Sequence, residues 1–338
     1  MRRYVLKAGS SSLDDLHLIQ ADVPKPGPGE VLIRVRACSL NFRDQAVVTG
    51  NYFGGKLPKD LVPLSDGAGE VEAVGEGVTR YAAGDRVAGN FFPNWWDGPP
   101  SGHAGPALGA NPLDGMLSEY VVLPERGVVK IADSLSFEEA ATFPCAGVTV
   151  WHALMEGPRV LKPGDTVLCL GTGGVALMAL RIAQAAGARV IVTSSSDEKL
   201  EKVKKLGAAA TINYRAEPEW GPMAASLAGA GGISHVVEGV GAPTLGQSMQ
   251  AVGFNGEVSL IGAMGFNDVP YPHALMMKGA WVRGIFVGSG SMHQKLNWAA
   301  DSAGIKPVVG KVFPFEEARA AYEYQQSPEL FGKVVITV

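Results

Sequence analysis

Four residues, Gly171-Thr172-Gly173-Gly174, separate an apolar run, Thr166 to Leu170, from a stretch with helical periodicity that starts near Val175. Glycines at such a junction either hold phosphates or only let a strand turn tightly into a helix. With Ala176 they satisfy G-x-G-x-x-(G/A), and a second apolar run, "ARVIVTSSS", follows in the same strand–helix–strand unit. That context is what the motif needs. Gly171 permits the turn, Gly173 lets backbone approach a pyrophosphate, and Ala176 lets the helix pack close on the sheet. The helix start adds free N–H groups and the positive end of a dipole. Gly171, Thr172, Gly173, Gly174 and Val175 are therefore expected to cradle a dinucleotide.

The end of the second strand selects which one. A carboxylate there binds the ribose hydroxyls of NAD, whereas this chain carries Ser194, Ser195 and Ser196, then Lys199, with Tyr214 closing the next apolar run. Hydroxyls and a lysine suit a 2′-phosphate that a carboxylate would repel. Asp197 and Glu198 read as first-turn residues favouring the helix dipole. NADP(H) is expected in preference to NAD(H), contacted by Ser194, Ser195, Lys199 and Tyr214.

The elements that must position these residues follow from the pattern. From about Asp133 onward strands and helices alternate, and the strands are continuously apolar, which argues a parallel sheet covered on both faces. Before it the chain is β-rich, with "GEVLIRVRACSL" and glycine-punctuated short strands. The expected fold is α/β: a Rossmann domain at 146–286 inserted into a β-rich domain built from 1–145 and 287–338. A chain of 338 residues exceeds the usual size of one core. Residues 89 to 115, rich in Pro, Gly and aromatics, form a long loop of the kind usually given to function.

The composition excludes several classes. A net charge of −4 leaves no electrostatic footprint for nucleic acid. The most apolar window is interrupted by Arg181 and Gln184, so no membrane span is expected. The first residues, "MRRYVLKAGS", lack the apolar stretch of a secretory signal. Three cysteines, Cys38, Cys145 and Cys169, without C-x-x-C spacing suit a reducing, cytoplasmic compartment.

The segments "PKPGPGEVLIRVRACSLNFRD", "GAGEVEAVGEGVTRYAAGDRV", "AGVTVWHAL", "LGTGGVA" and "FGKVVITV" together resemble the medium-chain dehydrogenase/reductase superfamily, in the same order and over nearly the whole chain. The resemblance implies that the β-rich domain is a GroES-like catalytic domain, that the active site lies in the cleft between the domains, and that the protein is a homodimer or homotetramer. It assigns Asn41, Thr149, Val240, Gly262, Phe286, Val287, Gly288 and Lys333 to cofactor contacts.

Zinc alcohol dehydrogenases of that superfamily carry "ACGVCHTD" and "GHE". The aligned segments here are "ACSLNFRD" and "LSD", which put Asn41 at a cysteine ligand, Ser65 at the histidine and Asp66 at the glutamate; only Cys145 keeps a donor. The four-cysteine structural lobe is absent as well. One thiolate and one carboxylate fall short of a catalytic zinc site, so no metal is expected.

Without a Lewis acid, the zinc-free quinone oxidoreductase branch reduces acceptors activated by conjugation: quinones and α,β-unsaturated carbonyls. The expected roles are Asn41 as donor to the developing oxyanion, and Asp66, Tyr52, His103 or solvent as proton source. Phe42, Tyr52, Phe92, Trp95 and Trp96 would stack on a planar substrate, and Arg43 with Asp44 would form a structural pair. Two alternatives stay open, a zinc-free alcohol or carbonyl dehydrogenase and a non-catalytic, crystallin-like cofactor-binding protein.

Overall fold

A strand register gathers the polar residues of the first unit. In the computed structural model, which describes residues 1–53, 55–100, 104–265 and 272–338, the chain divides into two units. Met1–Val148 and Val287–Val338 form one, and Thr149–Phe286 the other. His103, a candidate proton donor, lies outside the described residues.

The first unit is built on a seven-stranded sheet. Its long strand Glu30–Ser39 pairs antiparallel with Lys333–Thr337, Asp66–Val74 and Tyr120–Pro124. Ser39 lies opposite both Val335 and Asp66, so the same register carried two residues further brings Asn41 beside Lys333. The apolar faces bury a core that includes Ile33, Val35, Cys38, Leu64, Met116, Phe313 and Tyr322. A separate aromatic cluster of Phe91, Phe92 and Trp95 sits under the long loop, with Cys145 and Val287 packed on it.

The second unit is a six-stranded parallel sheet in the order Ala210–Asn213, Arg189–Ser194, Thr166–Leu170, Ile233–Glu238, Val252–Leu260, Trp281–Gly284. Numbered within the unit this is 3-2-1-4-5-6, the doubly wound Rossmann arrangement, whose switch point lies between the first and fourth strands. Thr166–Leu170 is buried throughout, as its unbroken apolar sequence requires for a sheet covered on both faces. The α/β expectation, a β-rich domain and a doubly wound Rossmann sheet, is what the architecture shows.

Candidate functional site

In the second unit, the loops that follow the first and fourth strands carry the residues expected to cradle a dinucleotide. Gly171 has φ +83°, a region costly for any residue with a side chain. No protein atom lies within 4 Å of the place a Cβ would take at Gly171 or Gly173. Packing among the described residues therefore does not require glycine at 173. Gly173 is also the N-cap of helix Gly174–Ala185 and supplies no side-chain cap, which leaves first-turn N–H groups for an anion.

The fourth strand ends in Glu238, a residue that sequence reasoning did not single out. Its side chain is fully buried and accepts from Val240 N at 2.9 Å, Gly241 N at 3.1 Å, Thr244 Oγ1 at 2.7 Å and Ser248 Oγ at 2.5 Å. One carboxylate thus shapes the turn carrying Val240 and ties it to helix Ala242–Ala251. Gly262 packs on that turn so closely that a Cβ would stand 2.4 Å from the Val240 backbone. Close approach of backbone explains that glycine. The signal in the sequence was a lone acid ending the apolar run "SHVVEG".

The three serines divide their work. Ser194 Oγ accepts from Ser196 N at 3.3 Å, and Ser196 Oγ caps the helix Asp197–Lys205 by accepting from Lys199 N at 3.3 Å. Ser195, half-buried, is left outside these bonds. Asp197, the nearest acid, accepts from Asn213 Nδ2 at 2.7 Å. Burial lowers the pKa of Lys199, and Tyr214 is 42% exposed. Thr149 is buried on the helix Val148–Met155, and Phe286 is half exposed.

The first unit holds the expected catalytic residues. Lys333, 4% exposed, donates from Nζ to Leu40 O and to Asn41 Oδ1, both at 2.6 Å, and lies 3.8 Å from Asp66 Oδ2. Asp66 accepts from Ser65 Oγ at 2.8 Å and from Cys145 N at 3.3 Å. Asn41 Nδ2 is 3.5 Å from Ser65 Oγ. Cys145 sits in a π-helical turn, Phe143–Gly147, a feature frequent at functional sites. Leu64, just before Ser65, has φ +69°. A non-glycine residue there is strained, and close-packed Gly109 and Gly115 hold it in place. Val287, β-branched, has φ +46°, and Gly288 beside it has no room for a Cβ against Val148 Cγ1 at 2.6 Å.

Several expectations change. Asp66 has a pKa raised by burial, which outweighs Lys333; but it is 0% exposed, with both oxygens turned to internal partners, and cannot itself reach a substrate. Lys333, expected at the cofactor, spends its ammonium inside this cluster. Phe92 and Trp95, at 3% and 4% exposure, form the loop's own small core rather than a lining. Trp96 lies under Arg80, with the guanidinium 4.4 Å from the ring centre, and Phe42 projects outward at 70% exposure. The loop is pinned where Gly290 N and Ser291 N, at the start of helix Gly290–Ala303, donate to Trp95 O at 2.9 Å and Trp96 O at 2.7 Å.

Arg43 and Asp44 go separate ways. Arg43 donates to Leu108 O at 2.7 Å and Gly109 O at 3.2 Å between the rings of Tyr52 and Phe91. Asp44, its pKa pushed up to about 6 mainly by burial, accepts from Asn41 N at 2.7 Å. Tyr52 is held by Arg43 at 4.6 Å, and burial raises its pKa.

Among the described residues no group of three or more His, Cys, Asp or Glu side chains comes together. Zinc does not fit these donors. Asn and Ser are poor ligands, and an ammonium already lies at hydrogen-bond distance from one of them.

Two family models match the chain: an alcohol dehydrogenase GroES-like domain over residues 27–133 and a zinc-binding dehydrogenase domain over residues 174–301. A zinc-type alcohol dehydrogenase-like protein of Schizosaccharomyces pombe is 44% identical, with 99% of each chain covered. A solved structure from Sinorhizobium meliloti 1021 has a TM-score of 0.90 at 42% identity, with both chains covered in full. A quinone oxidoreductase structure from Pseudomonas syringae has a TM-score of 0.80 at 28% identity, again with full coverage of both.

Proposed function

Because the chain belongs to the medium-chain dehydrogenase/reductase superfamily, we propose that it is a zinc-independent, NADPH-dependent reductase of quinones or α,β-unsaturated carbonyls. It is an oxidoreductase of a family that uses a nicotinamide cofactor. The observation that carries the finer reading is the Lys333 ammonium, 2.6 Å from Asn41 Oδ1, among residues aligned with zinc ligands. A cation fixed by covalent attachment stands where a metal would need anionic donors.

A bound dihydronicotinamide supplies the hydride. The chain's own residues have two tasks: to hold that cofactor, and to stabilise the charge that develops on the acceptor oxygen. Gly171 to Val175 and the Glu238-shaped turn serve the first task. Asn41, 8% exposed beside the fully buried Ser65 and Asp66, offers its amide N–H for the second. A conjugated acceptor spreads its charge and needs no stronger electrophile than such a donor. An alcohol dehydrogenase using Asp66 as acid–base would need that carboxyl to meet substrate, and its complete burial argues against it.

Ser195 and Lys199 support a preference for NADPH, with Asp197 engaged by Asn213. Three unpaired cysteines fit a reducing, cytoplasmic compartment. No helix among the described residues is long and apolar enough to cross a membrane. We take the protein to be a homodimer or homotetramer. The edge strand Trp281–Gly284, with Val282 exposed and the exposed Phe254, Met276 and Met277 in the same unit, offers an unpaired apolar border.

The test follows NADPH and NADH loss at 340 nm with a quinone, an enal, an enone and a simple ketone. Turnover of the conjugated acceptors, with NADPH preferred and the ketone untouched, is the expected result. Reduction of the ketone alone would overturn the reading.

A further inference from the structure

Building on that functional reading, we propose that the aromatic loop positions the segment Val287-Gly288 for the nicotinamide, by gripping the Val287 side chain in the cluster of Phe91, Phe92 and Trp95. Val287 has φ +46°, a conformation costly for any side chain and most of all for a β-branched one. Glycine would adopt it freely. Glycines stand at 284, 288 and 290, yet the strained position carries a valine. Strain of this kind persists only where the surroundings enforce it, and it gathers at ligand clamps. Val287 packs on the aromatic cluster. The side chain that makes the turn costly is therefore also the handle by which the turn is held.

The residues that follow are fixed as well. A Cβ at Gly288 would stand 2.6 Å from Val148 Cγ1 and 2.8 Å from Met292 Sδ. Ser289 is buried; its Oγ accepts from Met292 N at 3.4 Å and lies 3.0 Å from Ser291 Oγ. Gly290 N and Ser291 N donate to Trp95 O and Trp96 O, and a Cβ at Gly290 would stand 2.6 Å from the Trp96 ring. Ser291 Oγ donates to Asp97 Oδ1 at 2.6 Å. Residues 287 to 291 are thus gripped by the loop at both ends, through Val287 at one and Gly290 and Ser291 at the other.

The loop is itself anchored. Trp95, 4% exposed, donates from Nε1 to Gly98 O at 3.0 Å, Arg126 donates to Asn94 Oδ1 at 2.8 Å, and Leu108 N donates to Phe91 O at 3.0 Å. A ring held this firmly can impose a strained backbone on its neighbour. A reactive ring must be held in one place for hydride transfer, and a small misplacement costs much of the rate. The aromatic run then has a task without lining a pocket: Trp95 is a positioning residue that acts through Val287.

The experiment uses the full-length protein and two ligands, NADPH and adenosine 2′,5′-bisphosphate, which keeps the phosphorylated ribose and lacks the nicotinamide. Trp95→Leu should weaken NADPH about tenfold and leave the bisphosphate within about twofold. Equal losses for both ligands would mark a merely structural role and overturn the proposal. Val287→Gly should also weaken NADPH about tenfold, with the thermal midpoint kept or raised, because it removes handle and strain together. Adding Trp95→Leu to Val287→Gly should cost less than about threefold more. NADPH affinity kept in Val287→Gly would overturn the proposal even if Trp95→Leu failed to fold. So would a Trp95→Leu effect undiminished in the Val287→Gly background. A wild type that binds neither ligand would sink the functional reading instead. The clamp is then decided without cofactor, by the three-bond HN–Hα coupling of Val287, which reports φ. It is measured in protein labelled with 15N-valine, the signal assigned by its loss in Val287→Gly. The coupling should change in Trp95→Leu, and an unchanged value would refute the clamp.

Discussion

The two functional regions are made in opposite ways. The loops proposed to hold the dinucleotide in the second unit come from short contiguous stretches, with glycine and helix start side by side in the chain. The Asn41 cluster of the first unit draws on residues 41, 65, 66, 145 and 333, which only the sheet register and the π-helical turn bring together. A phosphate cradle needs backbone donors, and any sequence that makes the turn supplies them. An oxyanion donor needs one side chain in one orientation, which takes neighbours from distant segments to enforce.

The difference can be sharpened by substitution. Glu238→Ala attacks a part of the cofactor region that depends on a buried side chain, leaving two backbone N–H groups and two hydroxyls without their acceptor. A stability loss of about 3 kcal/mol or more is expected, read as a lowered denaturation midpoint. A loss below about 1 kcal/mol would show that the turn holds itself.

Gly173→Val should behave in the opposite manner. With open space at its Cβ position, the thermal midpoint should move little, while NADPH affinity falls about a hundredfold, equivalent to about 2.7 kcal/mol. Unchanged affinity by fluorescence titration would remove Gly173 from the cradle.

Asp44→Asn probes the buried region through pH. Burial holds the native Asp44 pKa near 6, above its ordinary 3.8, so the folded state binds the proton more tightly. Asp44 therefore contributes stability below about pH 4 that is lost as pH rises through 6. Between pH 4 and 7 the variant should gain about 2 kcal/mol relative to wild type. Parallel stability curves would contradict the assignment.

The smallest effect is expected at the exposed edge of the cofactor region. Lys199→Ala should weaken NADPH about tenfold and leave NADH within twofold. Equal losses for both cofactors would mean that Lys199 does not face a 2′-phosphate.

What the sequence disclosed follows the same division. The alternation of strands and helices and the turn at Gly171 are consequences of local pattern and could be read residue by residue, whereas the strand order and the cap at Ser196 came only with the structure. Asn41 and Asp66 could be picked out only by resemblance, and their relation to Lys333 is set by strand pairing across almost 300 positions. The aromatic run "FFPNWW" misled because ring-rich loops look alike whether their rings face a ligand or each other; Phe92 and Trp95 turned inward to give a long loop a core of its own. Glu238 went unnoticed because an acid ending an apolar strand does not reveal that four donors converge on it.

The most direct test of the central claim, that a tethered ammonium stands in place of a catalytic metal, is turnover before and after exhaustive chelation. Reduction of a conjugated acceptor by NADPH should proceed at the same rate in metal-stripped protein, with no gain from stoichiometric zinc. Activity lost on chelation and restored by zinc would contradict the account.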